Sequence, residues 1–382
     1  MTKFSRGACA SSLLALVIAL PNIAHAQDNA TVEIGGRLML DYTLADLDGP
    51  DGNIDGSEVR RARLHAKGTF GDQISYKFEL NKTGSDAFNI EDAYLEFKPK
   101  DKPIKIRIGQ DNTTNSFDEL TSSRFTSTIE RAAFTDAFQF GRRVGVTVLT
   151  KGDNWTFDAG VYADNLEGND FDKEGRAASA RATFAPIKSD DMTVHLGASV
   201  RYREASKNDD DEAADLFRYR QRPFTHVAPD RIVNTGRFAN TDTFVGAEAM
   251  VLSDGFWAAG EYGLTSASGS EAEPDADFGG GYVEAGYFFG GRRTYGSTVF
   301  KRPKVDSPVG AGGMGAFSVV ARYDTLDLDD GAFDQTLDTI ILGADWYPTA
   351  NTRFGVNYFN ADADNGNFDS AEGVVARMYF DF

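Results

Sequence analysis

The stretch 73–81, which reads Gln-Ile-Ser-Tyr-Lys-Phe-Glu-Leu-Asn, alternates strictly between polar and apolar residues. A period of two places Ile74, Tyr76 and Phe78 on one face of a β-strand and the polar residues on the other. The pattern recurs as far as Phe382, with charged residues on the polar faces and aromatic residues near the ends of the apolar faces. A closed barrel with lipid outside and water inside suits this pattern better than a soluble sandwich. We therefore predict an all-β fold, a transmembrane antiparallel β-barrel.

Sixteen segments are predicted as strands, an even number, as expected for a bacterial barrel formed by one chain. Short connections at 71–72, 152–153, 253–254 and 348–352 are predicted as periplasmic turns. Long connections at 46–56, 111–141, 205–242, 291–315 and 362–371 are predicted as surface or lumen loops. The predicted strands are 31–43, 57–70, 73–84, 88–98, 103–110, 142–151, 154–164, 175–185, 192–204, 243–252, 255–266, 278–290, 316–328, 335–346, 353–361 and 372–382.

The N-terminus has the features of a secretory signal peptide. Lys3 and Arg6 form a basic region, an apolar run follows from Ala10 to Leu20, and Ala24-His25-Ala26 is a small-x-small cleavage site. We predict a signal peptide at 1–26 and one barrel domain at 27–382. An uncleaved membrane anchor is the alternative.

The composition of the chain argues against several other classes of function. The only cysteine, Cys9, lies in the signal segment, so the rest of the chain offers no thiolate metal site. The net charge of −19 becomes −21 without the signal segment, which contains Lys3, Arg6 and no acidic residue. Such a charge argues against nucleic acid as a partner. The calcium-loop-like segment that starts at Asp51 is incomplete, because it has Ala62 where that motif needs glutamate. We predict no metal and no cofactor.

The acidic residues concentrate in turn-like segments, namely 46–58, 204–215, 267–277, 324–338 and 360–372. One interpretation is that these are solvated loops. The alternative is that they bind divalent cations that bridge to the anionic lipopolysaccharide of the outer surface.

The residues that line the lumen follow from the parity of each strand. In strand 57–70, for example, Leu64 and Phe70 face outward, so Arg61 and Arg63 face inward. The predicted wall is richer in basic residues than the whole chain, and the wall rather than the net charge decides ion selectivity. The local basic stripe predicted in this way consists of Arg61, Arg63, Lys67, Lys77, Lys105, Arg107 and Arg143.

The connection 111–141 is long for its place between two good strands and has too many apolar residues for disorder. We predict that it folds into the barrel as a constriction loop, with a helical turn near 120–125 and with Arg124 and Arg131 as its basic residues. A surface flap is the alternative.

The last predicted strand ends in an apolar stripe that contains Phe380 and Phe382. This resembles the assembly signal of outer-membrane barrels, which predicts the barrel assembly machinery as a partner. An ordinary edge strand that ends in phenylalanine is the alternative. Other outward aromatic residues near strand ends are predicted to form interfacial girdles; they are Tyr42, Tyr76, Phe97, Tyr202, Tyr262, Phe289, Trp346, Tyr358 and Phe380.

Several ordered motifs resemble those of the phosphate-selective porins of the O and P type. They are Val-Arg-Arg-Ala-Arg-Leu at 59–64, Asp-Ala-Tyr-Leu-Glu-Phe at 92–97, Ile-Arg-Ile-Gly-Gln at 106–110, Glu-Leu-Thr-Ser-Ser at 119–123, Glu-Arg at 130–131, Gly-Arg-Arg-Val-Gly at 141–145, Gly-Asp-Asn-Trp at 152–155, Gly-Gly-Arg-Arg-Thr-Tyr at 290–295 and Ala-Arg-Tyr-Asp at 321–324. The resemblance implies an outer-membrane porin of a Gram-negative bacterium that has sixteen strands and forms trimers. It also implies that basic residues pass an anion along, here Arg61, Arg63, Arg107, Arg124, Arg131, Arg142 and Arg143.

We therefore predict a passive diffusion channel for small hydrophilic solutes that prefers anions, with phosphate or a related oxyanion as substrate. Acidic residues beside the basic ones, such as Glu79, Asp92 and Glu96, oppose that preference, so a general non-selective porin is the first alternative. An outer-membrane esterase or phospholipase, with His195 as base for Ser199, is a more remote one. No hydrolase elbow, Walker loop or zinc-protease motif is present in the sequence, and we predict that the protein is not an enzyme.

Overall fold

The computed structural model describes residues 29–49, 52–84, 87–167, 173–189, 191–208, 214–269 and 273–382. The predicted signal peptide at 1–26 lies outside these residues. In chain order the strands are β1 (Ala30–Leu47), β2 (Asn53–Phe70), β3 (Ile74–Lys82), β4 (Asn89–Phe97), β5 (Ile104–Asn112), β6 (Arg142–Lys151), β7 (Trp155–Tyr162), β8 (Arg176–Lys188), β9 (Met192–Glu204), β10 (Arg220–Gln221), β11 (Val233–Asn234), β12 (Ala239–Ser253), β13 (Phe256–Gly269), β14 (Ala276–Phe289), β15 (Gly291–Tyr295), β16 (Phe300–Val305), β17 (Ala316–Asp330), β18 (Phe333–Thr349), β19 (Thr352–Asp364) and β20 (Ser370–Asp381).

Sixteen of these strands form one closed antiparallel barrel, in the order β1 to β9, β12 to β14 and β17 to β20. β1 pairs with β20 and closes the barrel, and Gly36 and Phe382 exchange two backbone hydrogen bonds of 3.1 Å. The predicted barrel of about sixteen strands is confirmed. Closure leaves no free sheet edge, which a chain in lipid requires because the bilayer core offers no hydrogen-bond partners.

The alternation of side chains follows the predicted parity. Outward residues such as Leu95 and Ile108 are more than half exposed, whereas the inward residues Glu96 and Gln110 are buried. Seven of the nine aromatic residues predicted for the girdles are exposed, and Tyr76 and Tyr358 are half-buried. Tyr42, Tyr202 and Tyr262 lie near the outer end of their strands.

Short turns after β2, β6 and β12 lie at the same end of the barrel as the start of β1 and the end of β20. We call this the periplasmic end, and we call the other the outer end. The connection 290–315, of which 291–315 was predicted as a surface or lumen loop, also lies at the periplasmic end. Gly290, with a left-handed φ of 75°, turns the chain from β14 into the hairpin β15–β16.

The remaining elements are two short α-helices in the connection 113–141, α1 (Phe117–Leu120) and α2 (Ala133–Ala137), and a 3₁₀ turn at Val309–Ala311. Among the described residues, no helix is long and apolar enough to cross a membrane.

Candidate ion pathway

The segment 113–141, which we call the inner loop, crosses the barrel interior. It leaves β5 and reaches the opposite wall, where Glu261 of β13 accepts hydrogen bonds from the backbone N–H groups of Phe117 (2.7 Å) and Asp118 (2.6 Å). Farther along, Asn357 of β19 accepts a hydrogen bond of 2.7 Å from the N–H group of Ile129. These contacts explain why the loop lies inside, because its backbone donors find wall acceptors there.

Buried arginines of the same wall also hold the inner loop. Arg353 donates to the carbonyl of Thr126 (2.8 Å), and Arg377 forms ion pairs with Asp41 (2.6 Å) and Glu130 (2.9 Å). Breaking a buried ion pair by removing one partner costs about 3–5 kcal/mol. The charges of this wall therefore fix the loop rather than contact a passing solute.

Aromatic side chains fill the lumen beside this wall toward the outer end. Phe138, which follows α2, lies 6.1 Å from Tyr219 and 6.0 Å from Phe244 between ring centroids, and Phe134 of α2 lies 6.5 Å from Tyr282. All of these rings are buried. This buried cluster fills the lumen on the side of β12–β14.

The opposite side of the lumen carries basic residues that stay half-buried. On the wall of β2–β6 these are Arg61, Arg63, Lys77, Arg107 and Arg142, in contrast to the buried Arg322, Arg353 and Arg377 across the lumen. We call the passage between the inner loop and this wall the eyelet.

Nine of the ten basic residues singled out from the sequence are in ion pairs. Their partners are Glu79 and Glu91 for Arg63, Glu33 for Lys67, Glu79 and Asp92 for Lys77, Glu96 for Lys105, Glu96 and Asp111 for Arg107, Asp381 for Arg124, Glu119 for Arg131, Glu91 and Asp92 for Arg142, and Asp164 for Arg143. The carboxylates noted from the sequence thus contact the bases directly.

Arg61 is the exception, since no ion pair between described residues includes it. Its charged neighbours are Arg60, Arg63, Arg131 and Glu130, and Glu130 itself is paired with Arg60 at 2.8 Å. Arg61 therefore contributes a cationic group to the eyelet that no wall carboxylate neutralises.

The described residues of the connection 205–238, namely 205–208 and 214–238, cover the outer end and reach the far wall, and we call them the mouth loop. The hydroxyl groups of Thr225 and Thr43 lie 2.9 Å apart, and the His226 ring lies 2.8 Å from Glu58 of β2. Below the loop lies a cavity of about 540 Å³, which we call the outer vestibule. Its charged lining consists of His226, ten arginines and three aspartates; the arginines are Arg60, Arg142, Arg143, Arg201, Arg203, Arg218, Arg220, Arg222, Arg231 and Arg237.

Five of these arginines belong to the mouth loop and were not singled out from the sequence; one of them, Arg237, forms an ion pair with Asp215. Arg218, Arg220, Arg222 and Arg231 are half-buried and enter no ion pair with another described residue. Burial, and then the positive charges of Arg222 and Arg220, lower the pKa of Arg231 to about 10. The arginines therefore repel one another, and a bound anion would relieve that repulsion.

At the periplasmic end a second cavity, of about 560 Å³, lies between the wall of β4–β7 and the tip of the hairpin β15–β16. We call it the exit cavity. Lys98, Lys102, Lys105 and Lys151 line it, together with one carboxylate, that of Asp158. From the outer end to the periplasmic end, the path thus runs past arginines, then the eyelet, then lysines.

His195 does not have the environment of a general base. Its Nε2 atom lies 2.7 Å from Glu248 and its Nδ1 atom lies 2.6 Å from the Tyr295 hydroxyl, so both ring nitrogens are occupied. The hydrogen bonds of His195 include none to Ser199.

Comparison with known proteins places this geometry in a family. The family model described as phosphate-selective porin O and P matches residues 32–382. An uncharacterized protein of Caulobacter vibrioides is 33% identical over 374 residues, which covers 91% of this chain and 73% of that protein.

Solved porins share the fold at low sequence identity. An anion-selective porin from Comamonas acidovorans superposes with a TM-score of 0.60 at 14% identity, covering 93% of this chain and all of that one (100%). In-vitro folded OmpT, an outer membrane protein of Vibrio cholerae, superposes with a TM-score of 0.58 at 14% identity, covering 94% of this chain and 99% of that one. The chain belongs to the family of phosphate-selective porins O and P and is a porin of the Gram-negative outer membrane.

Proposed function

We propose that the protein is a passive channel that prefers small anions, with phosphate or a related oxyanion as the favoured solute. The observation that carries the proposal is the series of cationic groups along one path. Four arginines of the outer vestibule and Arg61 of the eyelet have no carboxylate partner among the described residues, and four lysines line the exit cavity. The anion-selective structural relative and the family agree with this proposal.

The net charge of the chain does not oppose this preference. Charges on surface loops act over about one Debye length, roughly 8–10 Å near physiological salt, whereas charges inside a narrow path are screened much less. Arginine also suits phosphate, because its planar guanidinium group donates two parallel hydrogen bonds to an oxyanion. Several weak sites in series allow release, which one tight site would prevent.

The inner loop supports the proposal by narrowing the path. Because its backbone is bonded to β13 and β19, the proposed path runs on the side of Arg61 and the other eyelet bases. A solute must therefore pass close to the basic wall. A general, non-selective porin is the alternative, and it is favoured by the carboxylates that pair with most of the eyelet bases.

Passive conduction is tested in a planar lipid bilayer. The purified, folded protein is expected to raise the current in steps, with no nucleotide and no coupling ion, because a water-filled path needs neither. Heat-denatured protein is the control. Folded protein that inserts into the bilayer and leaves the current unchanged would contradict the proposal.

We further propose that export includes removal of the signal peptide after Ala26, and that the barrel forms homotrimers in contact with outer-membrane lipid and lipopolysaccharide. Phe380 and Phe382 are proposed to be read by the barrel assembly machinery. Phe380 faces outward on β20, and Phe382 bonds with Gly36 where the barrel closes.

Replacing the last residue tests the assembly proposal. Phe382→Asp is expected to leave most of the protein unfolded in the periplasm, because the charge interrupts the apolar stripe. The measurement is the heat-modifiable shift of the outer-membrane fraction on electrophoresis, with Phe354→Leu of the neighbouring strand as control. Normal amounts of heat-modifiable Phe382→Asp barrel would refute the idea.

A further inference from the structure

The hairpin β15–β16 meets the inner loop inside the barrel. Its residue Arg293 donates a hydrogen bond of 2.7 Å to the carbonyl oxygen of Phe125 in the inner loop. A second hairpin residue, Arg302, lies over the buried ring of Phe125, with 5.4 Å between the guanidinium carbon and the ring centroid. The tip of the hairpin, residues 296–298, forms one side of the exit cavity. The two segments that border the path therefore contact each other at Phe125.

One carboxylate of the last strand binds both segments. Asp381 of β20 accepts hydrogen bonds from Nη1 of Arg302 (2.8 Å), from Nη2 of the same residue, and from Nη1 of Arg124 in the inner loop (3.1 Å). Its Oδ1 atom also accepts a hydrogen bond of 3.0 Å from the side-chain amide of Asn351. The Asp381 side chain is 2% exposed. A buried carboxylate with these donors is held in one orientation.

The backbone of Asp381 is fixed at the seam where the barrel closes. Its N–H group donates a hydrogen bond of 3.0 Å to the carbonyl oxygen of Asn351, and the next residue, Phe382, exchanges two hydrogen bonds with Gly36. Alternation turns the Asp381 side chain into the lumen, whereas Phe380 and Phe382 face outward. Asp381 is thus a rigid attachment point, and replacing its side chain leaves the outward apolar stripe intact.

Two cations share this one carboxylate. Arg302 contacts both oxygen atoms of Asp381, whereas Arg124 contacts only Oδ2, through one nitrogen. Arg124 also donates 3.3 Å from Nε to the hydroxyl group of Ser122, and 30% of its side chain is exposed. Two guanidinium groups and one carboxylate give the group a net charge of +1. Arg124 therefore keeps part of its charge for the lumen although it belongs to an ion pair.

We infer that Asp381 is a positioning residue for the anion path: it holds Arg124 of the inner loop in one orientation and, through Arg302, fastens the hairpin β15–β16 to the same point. The inference deepens the proposed function and rests on it for the effect on permeating ions. Arg302 supports the arrangement, because it occupies both oxygen atoms and so keeps Asp381 from pairing fully with Arg124.

The orientation of Arg124 acts on phosphate more than on chloride. Phosphate has several acceptor atoms, and a guanidinium group that is already oriented can donate to two of them in parallel. Ordering a free side chain at the moment of binding costs conformational entropy, which the attachment to Asp381 removes. Chloride is spherical and gains less from such orientation. The loss of Asp381 should therefore change the ratio of phosphate to chloride permeability.

The first test follows both segments without using conduction. Hydrogen exchange of the purified full-length barrel, read by mass spectrometry, compares peptides of the inner loop and of the hairpin β15–β16 with a peptide of β17. Asp381→Asn keeps the shape of the side chain but not its charge. We expect it to raise exchange about tenfold in both segments, the lower end for the loss of a hydrogen bond to a charged group, and to leave β17 unchanged.

Two further variants separate the segments. Arg302→Gln is expected to raise exchange in the hairpin alone, because Arg124 keeps its bond to Asp381. Asp345→Asn removes the buried partner of Arg353 (2.7 Å), which donates to the inner loop, and is expected to raise exchange in the inner loop alone. Exchange that rises in only one segment of Asp381→Asn, or in neither, would overturn the inference.

The second test compares phosphate with chloride in a planar bilayer. If Asp381 acted only as a negative charge, Asp381→Asn would raise the preference for anions over cations and leave the ratio of phosphate to chloride unchanged. We expect that ratio to fall roughly fivefold, as for the loss of one net hydrogen bond, and Asp381→Glu to restore most of it. An unchanged ratio in Asp381→Asn would overturn the inference.

Arg302→Gln carries the same test if Asp381→Asn gives no heat-modifiable barrel. In Arg302→Gln, Asp381 is free to pair fully with Arg124, so the ratio of phosphate to chloride should fall as well, and an unchanged ratio would overturn the inference. If both segments respond to Asp381→Asn but the native protein passes no current, the attachment stands and the proposed function fails. If the native protein conducts anions but Asp381→Asn changes neither exchange nor ratio, the proposed function stands and the inference fails.

Discussion

The triple variant Arg218→Ala, Arg220→Ala, Arg222→Ala is expected to lose most of its preference for anions. These side chains line the outer vestibule without a carboxylate partner among the described residues, so their charges act on an entering ion. A cleft lined by one sign of charge raises the rate of entry of the opposite ion by about 10- to 1000-fold at low salt. We expect the variant to lower the rate of anion entry by roughly tenfold, the lower end of that range.

The measurement is the ratio of single-channel conductance at low and at high potassium chloride concentration. The charge-retaining triple variant with lysine at these positions is the matched control. It should keep the preference for anions over cations but weaken phosphate relative to chloride, because lysine cannot form the bidentate contact. Arg176→Ala, at an exposed arginine at the outer end of β8, controls for charge lost outside the lumen. An unchanged conductance ratio in the alanine variant would show that the mouth loop does not select ions.

Arg61→Ala is expected to have the largest effect of any single substitution in the eyelet. Arg61 has no carboxylate partner among the described residues, so its loss removes a positive charge that nothing compensates. A unit charge about 4 Å from a permeating ion contributes about 1 kcal/mol in water, which corresponds to roughly a fivefold change in permeability ratio. The reversal potential should therefore move toward cation selectivity by an amount that corresponds to about a fivefold change in the permeability ratio.

Arg63→Ala is the informative comparison for Arg61→Ala. Arg63 is paired with Glu79 at 3.1 Å and Glu91 at 2.6 Å, so its removal leaves carboxylates partly unpaired. It should lower the unfolding temperature of the barrel as well as change selectivity, whereas Arg61→Ala should change selectivity alone. Equal selectivity in the native protein and in Arg61→Ala would show that Arg61 does not act on permeating ions.

The parity of the strands was sufficient to predict the barrel and the composition of its wall. Alternation fixes which face of a strand a side chain occupies, and lipid outside with water inside makes the two faces chemically distinct. This is why Arg61 and Arg107 could be assigned to the lumen and Ile108 to the lipid face. Parity does not give the pairing of charges across strands, because that depends on register and side-chain reach. The ion pairs of Arg107 with Glu96 and Asp111 were therefore not predicted.

The loops were predicted less completely, for a physical reason. The apolar content of 111–141 predicted that it packs against something, and the structure shows the partner to be the far wall. In the mouth loop, only the acidic residues at its start were noted from the sequence. Arg218, Arg220 and Arg222 are spaced like residues on one face of a strand, and this spacing was the signal that was missed. The place of the hairpin β15–β16 depends on contacts between Arg293, Trp257 and Phe125, which are far apart in sequence.

The reversal potential in asymmetric potassium chloride distinguishes an anion channel from a general porin. We propose that unpaired cationic groups along the path outweigh the carboxylates of the wall and the negative charge of the loops. We expect a reversal potential of the sign that results when chloride carries most of the current. We also expect a further shift of this potential when phosphate replaces chloride on one side. A native channel that prefers potassium to chloride would contradict the proposed preference for anions and would identify the protein as a general porin.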